Sequence, residues 1–355
     1  MTTEMVDWEL AVSLGTRIAG AGPQVSADEA AATVEELRRG ADRSTSYVRE
    51  FTGLDAGGLT APVLVVDRAA WVQANADGFA TLLGPVIDKV AEKKGPPGPV
   101  TQAVGSRITG AELGGVLGFM ASKVLGQFDP FYAPHESPAA PSPVAGRLLL
   151  VAPNVVHVER ELDADPRDFR LWVCLHEETH RVQFTAVPWM REHLFTQFTA
   201  LAESVEPQRF LDEGLQRITE AIKNGSRGGS LLDLLGSPEQ KEILDRVTGV
   251  MSLLEGHADY VMDGVGPSVI SSVESIRGKF NERRKGAGTL DRLLRRLLGL
   301  DAKMAQYRDG ARFVRAVVDK VGMADFNAVF ATPENLPTLA EIHDSDAWVA
   351  RVYHA

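Results

Sequence analysis

Two histidines four positions apart, His176 and His180, bracket an acid, Glu177, in the stretch LHEETHRVQF. On an α-helix, residues four apart differ by about 40° around the axis, so both imidazoles face one point and can share one ion. Glu177 is turned about 100° from His176, which keeps it out of the ligand set yet near enough to take a proton from a water on that ion. Zinc lowers the pKa of such a water to about 7, and the neighbouring carboxylate then hands the proton to a leaving amine. The chemistry predicted is metal-assisted hydrolysis with one zinc ion as cofactor.

A catalytic zinc takes three protein ligands and leaves one position open. The chain holds a single cysteine, Cys174, which excludes a cysteine-based zinc site and an internal disulfide framework, so the ligands must be nitrogen and oxygen. Cys174 itself sits about 200° from His176 and reads as a small buried hydrophobe. The third ligand is expected in VMSLLEGHADYVMD, residues 250–263. Its apolar positions mark a core-facing helix, and Glu255 and Asp259 stand at i and i+4 on one face. Acids on such a face need a partner. Glu255 is assigned as the third ligand and Asp259 as the carboxylate that orients a ligand histidine through its far nitrogen. His257 competes with Glu255, but about 200° separates them on a regular helix, so it reaches the site only if the helix breaks at Gly256. His257 and Tyr260 are also the candidate donors for the negative charge that develops during hydrolysis. The other histidines, His135, His157, His193, His343 and His354, have no paired spacing and read as ordinary residues.

Helical periodicity is expected to carry these groups over residues 27–39, 68–83, 166–184, 207–223, 237–262 and 302–321. The motif helix has its own start signal: Asp165 as N-cap, Pro166 at the first helical position and Asp168 in the first turn. Strands are expected at 62–66 and 147–156, the second being branched and apolar and suited either to the core or to an edge that aligns an extended peptide. The fold class is therefore mainly α, with a small β-sheet beside the active-site helix. Stretches 93–99, 133–145 and 224–230 are rich in proline or glycine and read as punctuation. The longest of them suggests a boundary between an amino-terminal helical region, 1–132, and a metal-binding region, 133–355. Gly110, Gly114 and Gly118 recur every four residues and predict close helix packing rather than a phosphate cradle.

The balance of 37 basic against 48 acidic residues gives a net charge of -11, which repels a phosphate backbone and an anionic membrane surface. Glu4, Asp7 and Glu9 interrupt the amino end where an export signal would be basic and then apolar. The most apolar long window, 108–125, is broken by Glu112 and Lys123 and is short of a span of roughly 20 apolar residues. A cytoplasmic protein with a peptide or protein substrate, and with no nucleic-acid or membrane partner, is expected.

HEETH followed by EGHAD resembles the gluzincin pattern, in which HExxH is followed by ExxxD on a second helix. The spacing between His180 and Glu255 is far longer than in short-spaced members, which implies an inserted helical excursion. The metzincin extension is absent, because Gln183 stands in place of its glycine and Ala186 in place of its third histidine. More closely, GAELGGVLGFMASKVLGQFD, LHEETHRVQF and SLLEGHADYVMD resemble a bacterial family of zincin-like metallopeptidases, often labelled hydrolases or linked to deazaflavin coenzyme biosynthesis. That resemblance implies a zincin-like helical fold over most of the chain and names no substrate. The competing expectation is a zincin-shaped scaffold or interaction protein without turnover, because fold alone does not carry function.

Overall fold

The computed structural model describes residues 5–57, 60–94, 99–132, 146–204, 237–285 and 300–353. The helices are α1 (Trp8–Ala19), α2 (Ala27–Thr52), α3 (Arg68–Lys94), α4 (Pro99–Ala121), α5 (Ala152–Glu161), α6 (Pro166–Ala186) and α7 (Pro188–Ser204). They continue with α8 (Pro238–Val269), α9 (Val273–Lys285), α10 (Leu300–Val321) and the short α11 (Met323–Phe326), α12 (Leu339–His343) and α13 (Ser345–Tyr353). Three strands, β1 (Val63–Val66), β2 (Gly126–Asp129) and β3 (Arg147–Val151), complete a mainly α architecture with a small sheet. The helix expected at 207–223 and the stretches 133–145 and 224–230 lie outside the described residues. No helix among the described residues is long and apolar enough to cross a membrane. Contacts divide the chain into two compact units, Met1–Ala186 with Val265–Arg277, and Val187–Gly264 with Gly278–Ala355.

In the first unit the sheet order is β1-β3-β2, with β1 parallel and β2 antiparallel to β3. Leu148, Leu149, Leu150 and Val151 are all buried, so β3 is the central strand and reads as a continuous apolar run. It is therefore a core strand, and among the described residues the edges are β1 and β2. The expected strand over 147–156 stops at Val151, because Pro153 lies in the first turn of α5, where its fixed φ and missing N–H suit a helix start. Val155, Val156 and Val158 then form a buried helical face instead of a strand. Asn154 fastens this corner: its side-chain amide donates to the Ala121 and Val124 carbonyls at 2.7 and 2.6 Å and accepts from Arg68 Nε at 2.7 Å.

The glycines of α4 do what their spacing predicts. A Cβ at Gly114 would lie 2.7 Å from the Ala11 carbonyl oxygen, and one at Gly118 would lie 2.6 Å from that of Gly15, so α1 and α4 touch backbone to backbone. Replacing Gly114 by Val forces the two helices apart and is expected to cost about 3 kcal/mol of unfolding free energy, at the upper end for overpacking, as read by urea titration. An unchanged midpoint would show that the crossing is loose.

Helix α6 is seated on α2. Gly40 of α2 allows the approach, since a Cβ there would meet Cys174 Sγ at 2.9 Å, and the thiol of Cys174 donates to the Leu37 carbonyl at 3.4 Å. Burial pushes the Cys174 thiol well above its ordinary value, and the nearby Glu178 adds to that. The Arg170 guanidinium clamps Glu159 with two bonds of 2.9 and 2.7 Å and reaches Glu36 of α2 at 2.8 Å.

In the second unit α8 crosses α10 at Gly256 and Gly310, where a Cβ on either would run into the other helix's backbone. Phe313, Phe326, Phe330 and Trp348 form the buried aromatic centre of this unit. The motif helix and the acid-bearing helix are thus each fixed by their own local packing.

Candidate metal centre

The sequence starts α6 as expected. The backbone N–H of Asp168 donates to Asp165 Oδ1 at 2.9 Å, and Pro166 opens the helix. Asp168 then reaches past its own helix: its Oδ2 accepts from Ser271 Oγ at 2.8 Å, Ser272 Oγ at 2.7 Å and Ser272 N at 2.9 Å. Desolvation would raise this carboxyl, but the serine hydrogen bonds outweigh it and hold it below its ordinary value. A carboxyl depressed by folding contributes stability that is present above its unfolded value and lost as pH falls through its folded one. The Asp168 share of stability is expected to be level above about pH 5 and to be lost below about pH 4. In Asp168→Asn that loss is absent, and a pH series of thermal melts on the two proteins checks it.

About three turns into α6, His176 and His180 are half-buried and their rings meet edge to face, centroids 4.9 Å apart at 90°. Both ring systems therefore project to the same side of the helix, as the four-residue spacing requires. Nδ1 of His180 lies 3.0 Å from Gln183 Oε1, and Gln183 is fully buried. With the proton on Nδ1 the ring donates to the amide oxygen and Nε2 keeps its lone pair for a ligand role. Gln183 is a residue that sequence reasoning read only as a mismatch to another motif. Its i+3 spacing from His180 was the available signal.

Glu177 is 8% exposed and lies against the edge strand β2. A Cβ at Gly126 would come 2.6 Å from Glu177 Cγ and 2.7 Å from its Cδ. Phe128, two residues further along the strand, stacks on Phe184 of α6 with centroids 5.3 Å apart and planes 26° apart. Strand β2 was not foreseen, since GQFD has neither alternation nor a branched run.

Behind the ligand face Glu178 is fully buried. Its Oε2 accepts from Arg181 Nε at 2.8 Å and Thr45 Oγ1 at 3.1 Å, while Arg181 also donates to the Ala61 carbonyl at 2.6 Å and Thr45 Oγ1 at 2.8 Å. Burial pushes the Glu178 carboxyl up to about 7, with Arg181 and Thr45 pulling against it.

On α8 Glu255 is buried, at 8% exposure, and Asp259 and Tyr260 are half-buried one turn on. The helix runs unbroken through Gly256, whose lack of a side chain serves the crossing with Gly310 rather than a break. His257 is fully buried and its ring is stacked 5.7 Å from Phe326 at 18°, with Phe330 edge-on at 5.5 Å. It is a packed residue of the aromatic centre. Among the described residues, His176, His180 and Glu255 form a group able to hold a metal ion: each offers one ligand atom, and these atoms lie within 4.8 Å of one another. Two imidazoles and a carboxylate match the donor set of a catalytic zinc site.

The family model for zincin-like metallopeptidases matches residues 6–349, and the chain belongs to that family. Among solved structures it is similar to one described as a "putative hydrolase with a novel fold" from Chloroflexus aurantiacus, at 29% identity and a TM-score of 0.69 over 99% of each chain. No curated protein is matched by this sequence. Family membership implies a metal and supports a hydrolase.

Proposed function

We propose that this protein is a zinc-dependent metallopeptidase that cleaves amide bonds, with His176, His180 and Glu255 holding one zinc ion. The observation that carries the reading is the grouping of those three donors within 4.8 Å. A zinc ion bound there supplies Lewis acidity, bringing the pKa of water to about 7 and polarising a carbonyl. Glu177 accepts the proton of the attacking water and returns it to the departing amine. Its near-complete burial leaves little competing solvent around the carboxylate. Gln183 holds the His180 ring in one tautomer and one orientation, and Asp259 is assigned the same task for a ligand histidine. Tyr260, half-buried on α8, stands as a donor for the developing charge. Among the described residues strand β2 is paired on one side only, which suits it to an extended peptide backbone.

The deciding experiment incubates the zinc-loaded chain with a mixed peptide library, then removes and restores the metal. Cleavage that stops on chelation and returns with zinc is expected. A chain that holds one zinc and leaves the library intact is a scaffold of zincin shape, and one that takes up no zinc has no metal centre. Replacing Gln183 by Leu is expected to weaken zinc binding 10- to 100-fold in competition with a chelator, with the fold intact by circular dichroism. Unchanged affinity would remove Gln183 from the site.

A further inference from the structure

We propose that Gly126 is a positioning residue that fixes where the Glu177 carboxylate can stand; this rests on Glu177 as general base. In a strand successive side chains alternate, so Gly126 and Phe128 face the same way, toward α6. On α6, Glu177 and Phe184 are seven residues, about two turns, apart and share a face. The strand thus lies along the helix with two matched contacts, Phe128 on Phe184 and Gly126 on Glu177.

The first contact sets the register of the second. The tip of the Phe128 ring also lies close against Gly146, where a Cβ would come 2.6 Å from its Cζ. The strand cannot slide, because Gly126 pairs with Leu150 and the Val151 N–H donates to the Leu125 carbonyl at 2.8 Å. Against this fixed strand, a Cβ at Gly126 would stand 2.6 Å from Glu177 Cγ, 2.7 Å from Cδ and 3.0 Å from Oε1. Glycine is not there for its backbone freedom: the positive-φ glycines do not include Gly126. A strand normally disfavours glycine, and one kept in a strand marks a close approach. Here the approach is by the side chain of the proposed base. The backbone of β2 forms a wall that removes the Glu177 conformers leaning toward the sheet. A carboxylate held this way needs no reorganisation before it meets a water.

The test uses the full zinc-loaded chain as wild type, Gly126→Ala, Glu177→Ala and the double variant. In Gly126→Ala the methyl must displace the Glu177 side chain. Zinc stays at one equivalent, kcat for a cleaved peptide falls roughly 100-fold, and KM stays within about twofold. Thermal melts separate this from a general strand defect. Gly126→Ala lowers Tm by roughly 3 °C when Glu177 is present and by under about 1 °C when residue 177 is alanine, since the collision is then gone. Equal Tm losses in both backgrounds, or a wild-type kcat in Gly126→Ala, would overturn the proposal. If the wild-type chain cleaves no peptide, the hydrolase reading falls, and the melts alone then decide whether Gly126 confines Glu177.

Discussion

Changing Glu177 to Gln is expected to leave one equivalent of zinc bound and to lower peptide cleavage about 1,000-fold. General acid–base catalysis by a placed side chain is worth roughly 10²–10⁴-fold. The amide has the shape of the carboxylate and fits the same space against β2, so the His176 and His180 rings keep their arrangement. It cannot accept the proton of water, and the neighbouring acid on α6 does not replace it, because Glu178 is fully buried and committed to Arg181. Metal content and the initial rate on one cleaved peptide, measured side by side, check both halves. A glutamine variant with wild-type rate would remove Glu177 from the reaction.

Truncating Arg181 to Ala is expected to cost about 3–5 kcal/mol, the range for breaking a buried ion pair from one side. The guanidinium serves three acceptors at once, Glu178, the Ala61 carbonyl and Thr45, and its loss leaves a carboxylate with no counter-charge in a dry place. The sign of the pH dependence follows from the carboxyl. Burial already places it at about 7 against an ordinary 4.5. An acid with a raised value takes up a proton on folding, so its share of stability is present at low pH and fades as pH rises through the folded value. The penalty in Arg181→Ala is therefore smaller near pH 5 and larger near pH 8, as urea titrations at the two pH values would read. Replacing the pair together, Arg181→Met with Glu178→Leu, recovers most of the loss. A pH-independent penalty would mean that the carboxyl is not the cause.

The motif helix was legible because three independent local signals coincide at its start: an Asp cap, a proline in the first turn and an acid beside the dipole. The helix bearing Glu255 was legible from its apolar pattern alone. What escaped was set by partners distant in the chain. GQFD becomes a strand because β3 offers a free edge and Phe184 offers a ring, neither of which is local. The 147–156 stretch was overextended because branched residues favour strands and buried helices alike, and Pro153 decides between them. Gly256 invited a break because glycine weakens a helix, whereas the approach of Gly310 uses its missing side chain and keeps the helix whole. Gln183 belongs to no metal-binding motif, and its role comes only from the neighbour one turn back, His180.

The seating of Cys174 has a practical consequence. Its sulfur is fully enclosed between the Leu37 carbonyl and Gly40, with its proton held tightly, so an alkylating reagent finds no thiolate until the two helices part. The chain holds no other cysteine, so every labelled molecule reports the same event. Mass shift against time in a reagent such as iodoacetamide becomes a stopwatch for breathing at the back of the motif helix, without a dye, a tag or a substrate.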